Sequence, residues 1–220
     1  MSRKKLVRFA QNEVNPNVVQ AGKPIFEQIK GQWNALQFQN EQPLVVELAC
    51  GRGEFTLGLG RQYPTQNFIG VDIKGSRIWK GSSTATAEGI HNVAFLRTQI
   101  QQLDAFFAPS EISELWITFP DPFPRDGDEK RRLTSARFLE MYKQLVKAGG
   151  IIHFKTDNTG LFEYTEEVLA SRSDCKVLFV TADFYASELR DAHHGIKTRY
   201  EKIFSDKGEK IKYIQFSFIG

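Results

Sequence analysis

The chain has 220 residues, of which 41% are hydrophobic and 25% charged, with 29 Lys and Arg against 26 Asp and Glu for a net charge of +3. That mixture is the composition of a globular domain and excludes wholesale disorder or a fibrous repeat, and no run of eighteen apolar residues is present to span a membrane. The start, MSRKKLVRFAQNE, lacks the apolar stretch of a secretory signal, and Cys50 and Cys175 are too few for a disulfide framework or a metal cluster, so a cytoplasmic location is expected.

In chain order, residues 1–20 are polar, carry Arg3, Lys4, Lys5 and Arg8, and contain a helix-breaking Asn15-Pro16-Asn17. They read as a basic, mobile arm before a single domain over 21–220. Ile25, Phe26, Ile29 and Trp33 recur at helical spacing after Pro24 and predict a helix. From Pro43 onward, short apolar runs at 44–50, 67–72, 93–98, 115–119, 151–156, 177–182 and 211–218 predict strands. Amphipathic stretches at 54–62, 76–88, 135–147 and 161–170 predict helices between them. Such alternation predicts an α/β domain, a seven-stranded, mostly parallel sheet with helices on both faces.

The first of these strands runs into VVELACGRGEF, a turn with Gly51 and Gly53. A glycine turn opening a helix lets a ligand approach the backbone, and Asp72, nineteen residues after Gly53, ends the next strand where a carboxylate can accept from two ribose hydroxyls. The pattern points to an adenosine-containing ligand. The third small residue of a dinucleotide fingerprint is missing, Thr56 standing in its place. Glu47 would repel a pyrophosphate but attract a cation. S-adenosylmethionine, with a sulfonium, an ammonium and no phosphate, therefore fits Glu47 and Asp121 better than a dinucleotide does; alternatively, Glu47 caps the following helix.

The fourth strand enters Phe119, Pro120, Asp121, Pro122, Phe123 and Pro124. Three prolines in five residues neither continue a strand nor fill a helix interior; they make a stiff loop. It leaves the carboxyl end of the strand, where open α/β sheets bind their ligands. Asp121 is thereby held beside the methyl donor, and the two phenylalanines offer faces to a base; the competing reading is a rigid structural turn. Arg125 and the run Lys130, Arg131, Arg132 follow and suit a polyanionic substrate.

The segments VELACGRGEF, NFIGVDIK, ITFPDPFPR with KRRL, HFKTDN and TRYEKIF, in that order over roughly 43–218, resemble the tRNA (guanine-N7)-methyltransferases. The resemblance implies a Rossmann-like class I methyltransferase fold, S-adenosylmethionine as methyl donor, no metal, and a guanine N7 in the variable loop of tRNA as acceptor. By motif it implies that Glu47, Gly51, Gly53, Asp72, Gln99 and Asp121 surround the donor. It assigns Arg125, Asp157, Thr198, Arg199, Tyr200 and Glu201 to the substrate and makes Asp121 the candidate catalytic residue. Gln99-Ile100 replaces the usual Asp-Ala, and Ala49 replaces a turn glycine.

Guanine N7 carries a lone pair and no proton, so its methylation needs no general base, and catalysis by alignment and electrostatics is expected. Asp157 and Glu201 suit the N1–H and 2-amino edge of guanine, although Asp157 is also placed to cap the next helix, and Thr198 with Glu201 to form a capping box. His193 and His194 read as loop residues, and Trp33, Trp79 and Trp116 as core or half-core rather than base-stacking platforms. The partner is expected to be tRNA, not a membrane, with the chain a monomer or homodimer. Alternatives are methylation of another RNA or a small molecule, or an RNA-binding module without catalysis.

Overall fold

The computed structural model describes residues 3–192 and 194–219, with side chains from residue 5 onward. Eight strands form one sheet: β1 (Val18–Gln20), β2 (Leu44–Leu48), β3 (Asn67–Asp72), β4 (Val93–Arg97), β5 (Ile112–Thr118), β6 (Val146–Thr156), β7 (Cys175–Thr181) and β8 (Lys212–Phe218). Their order is β1-β4-β3-β2-β5-β6-β8-β7. Every pairing from β1 to β6 is parallel, and β8 runs antiparallel between β6 and β7. After the edge strand β1, the chain enters the middle at β2, steps outward to β3 and β4, then returns to β5. That reversal opens a crevice at the carboxyl ends of β2 and β5, where an α/β sheet accepts a ligand.

Helices α1 (Arg3–Val14), α2 (Glu54–Gln62), α3 (Gly75–Glu88), α4 (Ala136–Leu145), α5 (Thr159–Ala170) and α6 (Arg199–Asp206) connect and cover the strands. Residues within a central strand alternate between two cores. Val46, Leu48, Ile69 and Leu115 point to the side of α4, α5 and Trp33. Val45, Phe68, Phe95 and Trp116 point to the side of α2 and α3. Burial on both faces explains why these strands read as continuous apolar runs.

The amino-terminal segment departs from its reading as an arm. Residues 3–14 form α1, and Val18 and Val19, both fully buried, add β1 to the edge of β4; the sheet thus has eight strands rather than seven. Asn12 donates to the Gly75 carbonyl at 2.8 Å, and Arg8 lies over the Trp79 ring. The break at Asn15-Pro16-Asn17 is a turn between helix and strand, held by Lys23 Nζ donating to the Val18 carbonyl at 2.6 Å. The single helix expected after Pro24 is also replaced, by a 3₁₀ turn over Pro24–Glu27 and a π-helical turn over Trp33–Phe38. Gly31, at φ +71°, breaks the segment between them. Ile29 and Trp33 are nonetheless fully buried.

Candidate active site

Five parallel strands end on one rim, and the segments just beyond them line a single cavity of about 720 Å³. Past β2 lies the turn 49–52, with Gly53 just outside the lining, past β3 Asp72 itself, past β4 Thr98 and Gln99, past β5 the 119–123 loop, and past β6 Asp157. Thr198, Arg199 and Tyr200, at the start of α6, close the opposite wall. The topology therefore gathers both the glycine-turn residues and the proline-loop residues, which lie some seventy positions apart in the chain.

On the glycine-turn side, Ala49, Gly51 and Gly53 all have φ between +56° and +70°. The turn is left-handed three times over. Gly53 is doubly constrained, because a Cβ there would stand 2.4 Å from the Phe95 ring. Asp72 is buried; its Oδ2 accepts from Gly51 N at 3.0 Å and its Oδ1 from Lys74 N at 2.7 Å. Each carboxylate oxygen retains acceptor capacity toward the cavity. Burial pushes its pKa upward.

Glu47 is the most deeply set carboxylate of the rim, at 3% exposure. Its Oε1 accepts from the Thr118 hydroxyl at 2.7 Å; its Oε2 accepts from Thr56 N at 2.9 Å and from the Thr56 hydroxyl. The helix-capping role and the cavity-facing role thus coexist. Desolvation raises its pKa to about 7 against the opposing effect of those three donors.

On the loop side, Phe119 and Phe123 hold φ of +49° and +44°, a costly conformation for bulky aromatics. They bracket Pro120, Asp121 and Pro122, and exposed Asp121 lines the cavity between them. The basic run holds this loop: the Arg131 guanidinium lies 4.2 Å from the Phe123 ring centroid, and Arg132 Nε donates to the Phe123 carbonyl at 3.2 Å. Arg132 also stacks on Tyr164 at 4.3 Å. Arg125 is exposed at the head of the 3₁₀ turn Asp126–Arg131, away from the cavity lining.

Asp157 is half-buried and lines the cavity, with its pKa raised by burial. It does not cap α5: Asn158 does, accepting from Leu161 N at 2.8 Å. Thr198 and Glu201 do form the capping box of α6. Glu201 is not brought to the cavity wall. It is fully buried, and its Oε1 accepts from Lys155 Nζ and from the Tyr185 hydroxyl, each at 2.6 Å. Two buried donors and the helix cap hold the carboxylate expected at the guanine edge. Gln99 is exposed on the wall beyond β4.

Two residues escaped the sequence reading. Thr118 gave no signal, being one threonine in a strand. Lys155 did give one, a lone lysine inside the apolar run GGIIHFKT, and it is 1% exposed. His193 lies outside the described residues; His194 shares a hydrogen bond with the Tyr63 hydroxyl at 2.6 Å. Trp33 and Trp116 are core, and Trp79 is half-buried. Among the described residues, no group of three His, Cys, Asp or Glu is arranged to hold a metal, and no helix is long and apolar enough to cross a membrane.

The sheet order, with its one antiparallel strand beside the last edge, and a cleft at the switch point lined by Glu47, Asp72, Asp121 and Asp157 fit a domain of the methyltransferase kind. A family described as putative methyltransferase matches residues 41–214. Among solved structures, the 16S rRNA methyltransferase KamB superposes with a TM-score of 0.60 at 17% identity, over 91% of this chain and 95% of that one. The 16S rRNA (adenine(1408)-N(1))-methyltransferase from Catenulisporales acidiphilia gives 0.60 at 13% identity, over 86% and 93%. These likenesses concern the fold; the [4+2]-cyclase SpnF shares it as well, at 0.56 and 14% identity, over 88% and 82%.

Sequence relatives are more specific. The tRNA (guanine-N(7)-)-methyltransferase of Cytophaga hutchinsonii is 46% identical over 100% of this chain and 99% of its own length. That of Bacteroides fragilis is 44% identical over 98% and 86%. The chain belongs to the tRNA (guanine-N7)-methyltransferase family.

Proposed function

We propose that the protein transfers a methyl group from S-adenosylmethionine to N7 of a guanine in the variable loop of tRNA, forming 7-methylguanosine. The observation that carries this reading is the single cavity that joins the glycine turn and Asp72 to Asp121, Asp157 and the head of α6. A donor site and a purine site share one wall there, in a chain whose full-length relatives bear that enzyme's name.

The donor set fits S-adenosylmethionine. Asp72 has acceptor capacity for ribose hydroxyls, the left-handed turn at Gly51 and Gly53 lets the adenosyl portion approach the backbone, and the Glu47 carboxylate on the same wall favours a cationic donor. Gln99 is placed on the wall to meet the adenine amine. When bound, this group supplies an electrophilic methyl on a sulfonium.

The chain's own residues then act by placement. N7 has no proton to remove, so no side chain serves as a base before the transition state. Asp121, locked between two prolines, holds the purine in line and offers negative charge to the cationic base that forms. Asp157 accepts from the N1–H and 2-amino edge and so favours guanine over adenine, which lacks that donor pair. Thr198, Arg199 and Tyr200 hold the nucleotide from the opposite side, and Arg125 meets the RNA backbone outside the cavity. The cytoplasm is the compartment this chemistry calls for.

Mass analysis of nucleosides from tRNA incubated with the protein and donor tests the reading. The expected product is 7-methylguanosine in tRNA; methylation confined to ribosomal RNA, or none with donor bound, overturns it.

A further inference from the structure

Lys155, buried behind the cavity, is tied to three segments that line it. Its carbonyl accepts from Phe119 N at 2.9 Å, which anchors the start of the proline loop. Two positions later, just past the end of the same strand, comes Asp157. Its ammonium donates to Glu201 at 2.6 Å, and Glu201 in turn accepts from Thr198 N at 3.4 Å across the capping box. The Tyr185 hydroxyl completes the Glu201 cluster, and the Lys155 ammonium lies 4.9 Å from the Phe184 ring centroid and 5.8 Å from that of Phe119. Lys155 is 1% exposed and Glu201 0%.

A buried ion pair is a poor stabiliser, since desolvating two charges offsets their attraction, and apolar residues of the same volume often serve a core equally well. What such a pair does supply is direction: a charged carboxylate held by two donors fixes the rotation of the helix that carries it. α6 has eight residues, and Thr198 to Tyr200 at its start project onto the cavity. Beyond this cluster, Arg199 N donates to Glu54 at 2.6 Å on the exposed side and ties the first turn to the rest of the domain.

We propose that Lys155, through Glu201, is a positioning residue that sets the α6 wall against the proline loop, so that both grip the substrate base at once. Lys155 touches neither substrate nor donor. The proposal rests on the tRNA reading for its kinetic consequence, but not for its structural one.

The test uses the full chain with Lys155→Met, Glu201→Gln, the double variant and Lys155→Arg. Hydrogen exchange read by mass spectrometry is expected to speed up over residues 198–206 in both single variants, with β2 to β4 unchanged. Donor binding by calorimetry is expected to stay at the wild-type value, while kcat/KM for tRNA falls about 100-fold. Lys155→Arg keeps the charge and is expected to recover part of that loss. The double variant, free of a lone buried charge, separates folding from positioning: restored thermal stability with activity still lost supports the proposal. A folded double variant with wild-type exchange over 198–206 and wild-type kcat/KM overturns it. If the wild-type chain methylates no tRNA, the functional reading falls while the exchange result still decides the positioning role.

Discussion

Glu47 combines burial, three hydrogen-bond donors and a pKa raised to about 7. Its folded value lies above the ordinary 4.5, so its contribution to stability is complete below about pH 4.5 and is lost as pH rises through about 7. The ligand-free protein is expected to lose on the order of 3 kcal/mol across that window, and Glu47→Gln to flatten the profile in denaturant unfolding measured from pH 5 to 8. A cationic donor reverses the preference, since it favours the ionised carboxylate. Calorimetry is therefore expected to show donor affinity rising with pH up to about 7, with proton release. Glu47→Gln weakens binding about tenfold at pH 8 and abolishes the pH dependence. Asp121 is proposed to act on the purine: Asp121→Asn is expected to lower kcat about 100-fold, and near-wild-type turnover in single-turnover assays would remove it from catalysis. At Ala49 the left-handed φ of +56° reverses a usual rule. Ala49→Gly is expected to leave stability unchanged or raise it by up to about 1 kcal/mol in thermal unfolding, because glycine adopts this conformation without the steric cost an alanine carries.

At the scale of elements, the proline loop is held by its neighbours as much as by its prolines. Two aromatic residues in left-handed conformations persist only when the surroundings over-determine them, and here Arg132 bonds the Phe123 carbonyl while Arg131 covers its ring. Two of the four bases that read as a patch for a polyanion thus brace the loop. Arg132→Ala is expected to reduce kcat/KM for tRNA about tenfold at fixed salt with donor binding intact. If Arg132 instead contacts phosphate, the same change lowers the slope of log affinity against log salt by about one and spares kcat, which filter binding across a salt series distinguishes. The head of α6 shows a structural and a functional role on neighbouring residues: Thr198 caps the helix and faces the cavity, whereas Glu201 is turned inward.

For the whole molecule, the parallel strands place five loop segments on one rim, and the amino-terminal segment closes the opposite sheet edge instead of trailing from it. Deleting residues 1–20 removes two fully buried valines and the Asn12 bond to Gly75. Burying each valine contributes about 1.5–3 kcal/mol, against a total stability of about 5–15 kcal/mol for a domain. Truncation is therefore expected to lower Tm by many degrees, beyond any loss of RNA affinity. Charge variants such as Lys5→Gln isolate the electrostatic part, read as a change in salt dependence without a change in Tm.

The strand-helix alternation, the glycine turn, Asp72 and the proline loop were legible in the chain itself, because each is a local pattern: apolar runs with a fixed period, glycines where φ must be positive, prolines that forbid a helix. The structure of residues 3–20 was not legible in the chain, for the opposite reason. Their apolar positions are few, and the helix and edge strand form only because α3 and β4 offer a surface to pack on. Whether Glu201 faces a base or a lysine was likewise beyond the sequence. TRYE announces a helix start, but the direction of its glutamate depends on Lys155, 46 positions away. Local chemistry determined which residues had to turn, bend or stiffen; long-range packing alone decided which charges meet, since burial and pairing are properties of residues that become neighbours only once the sheet is assembled.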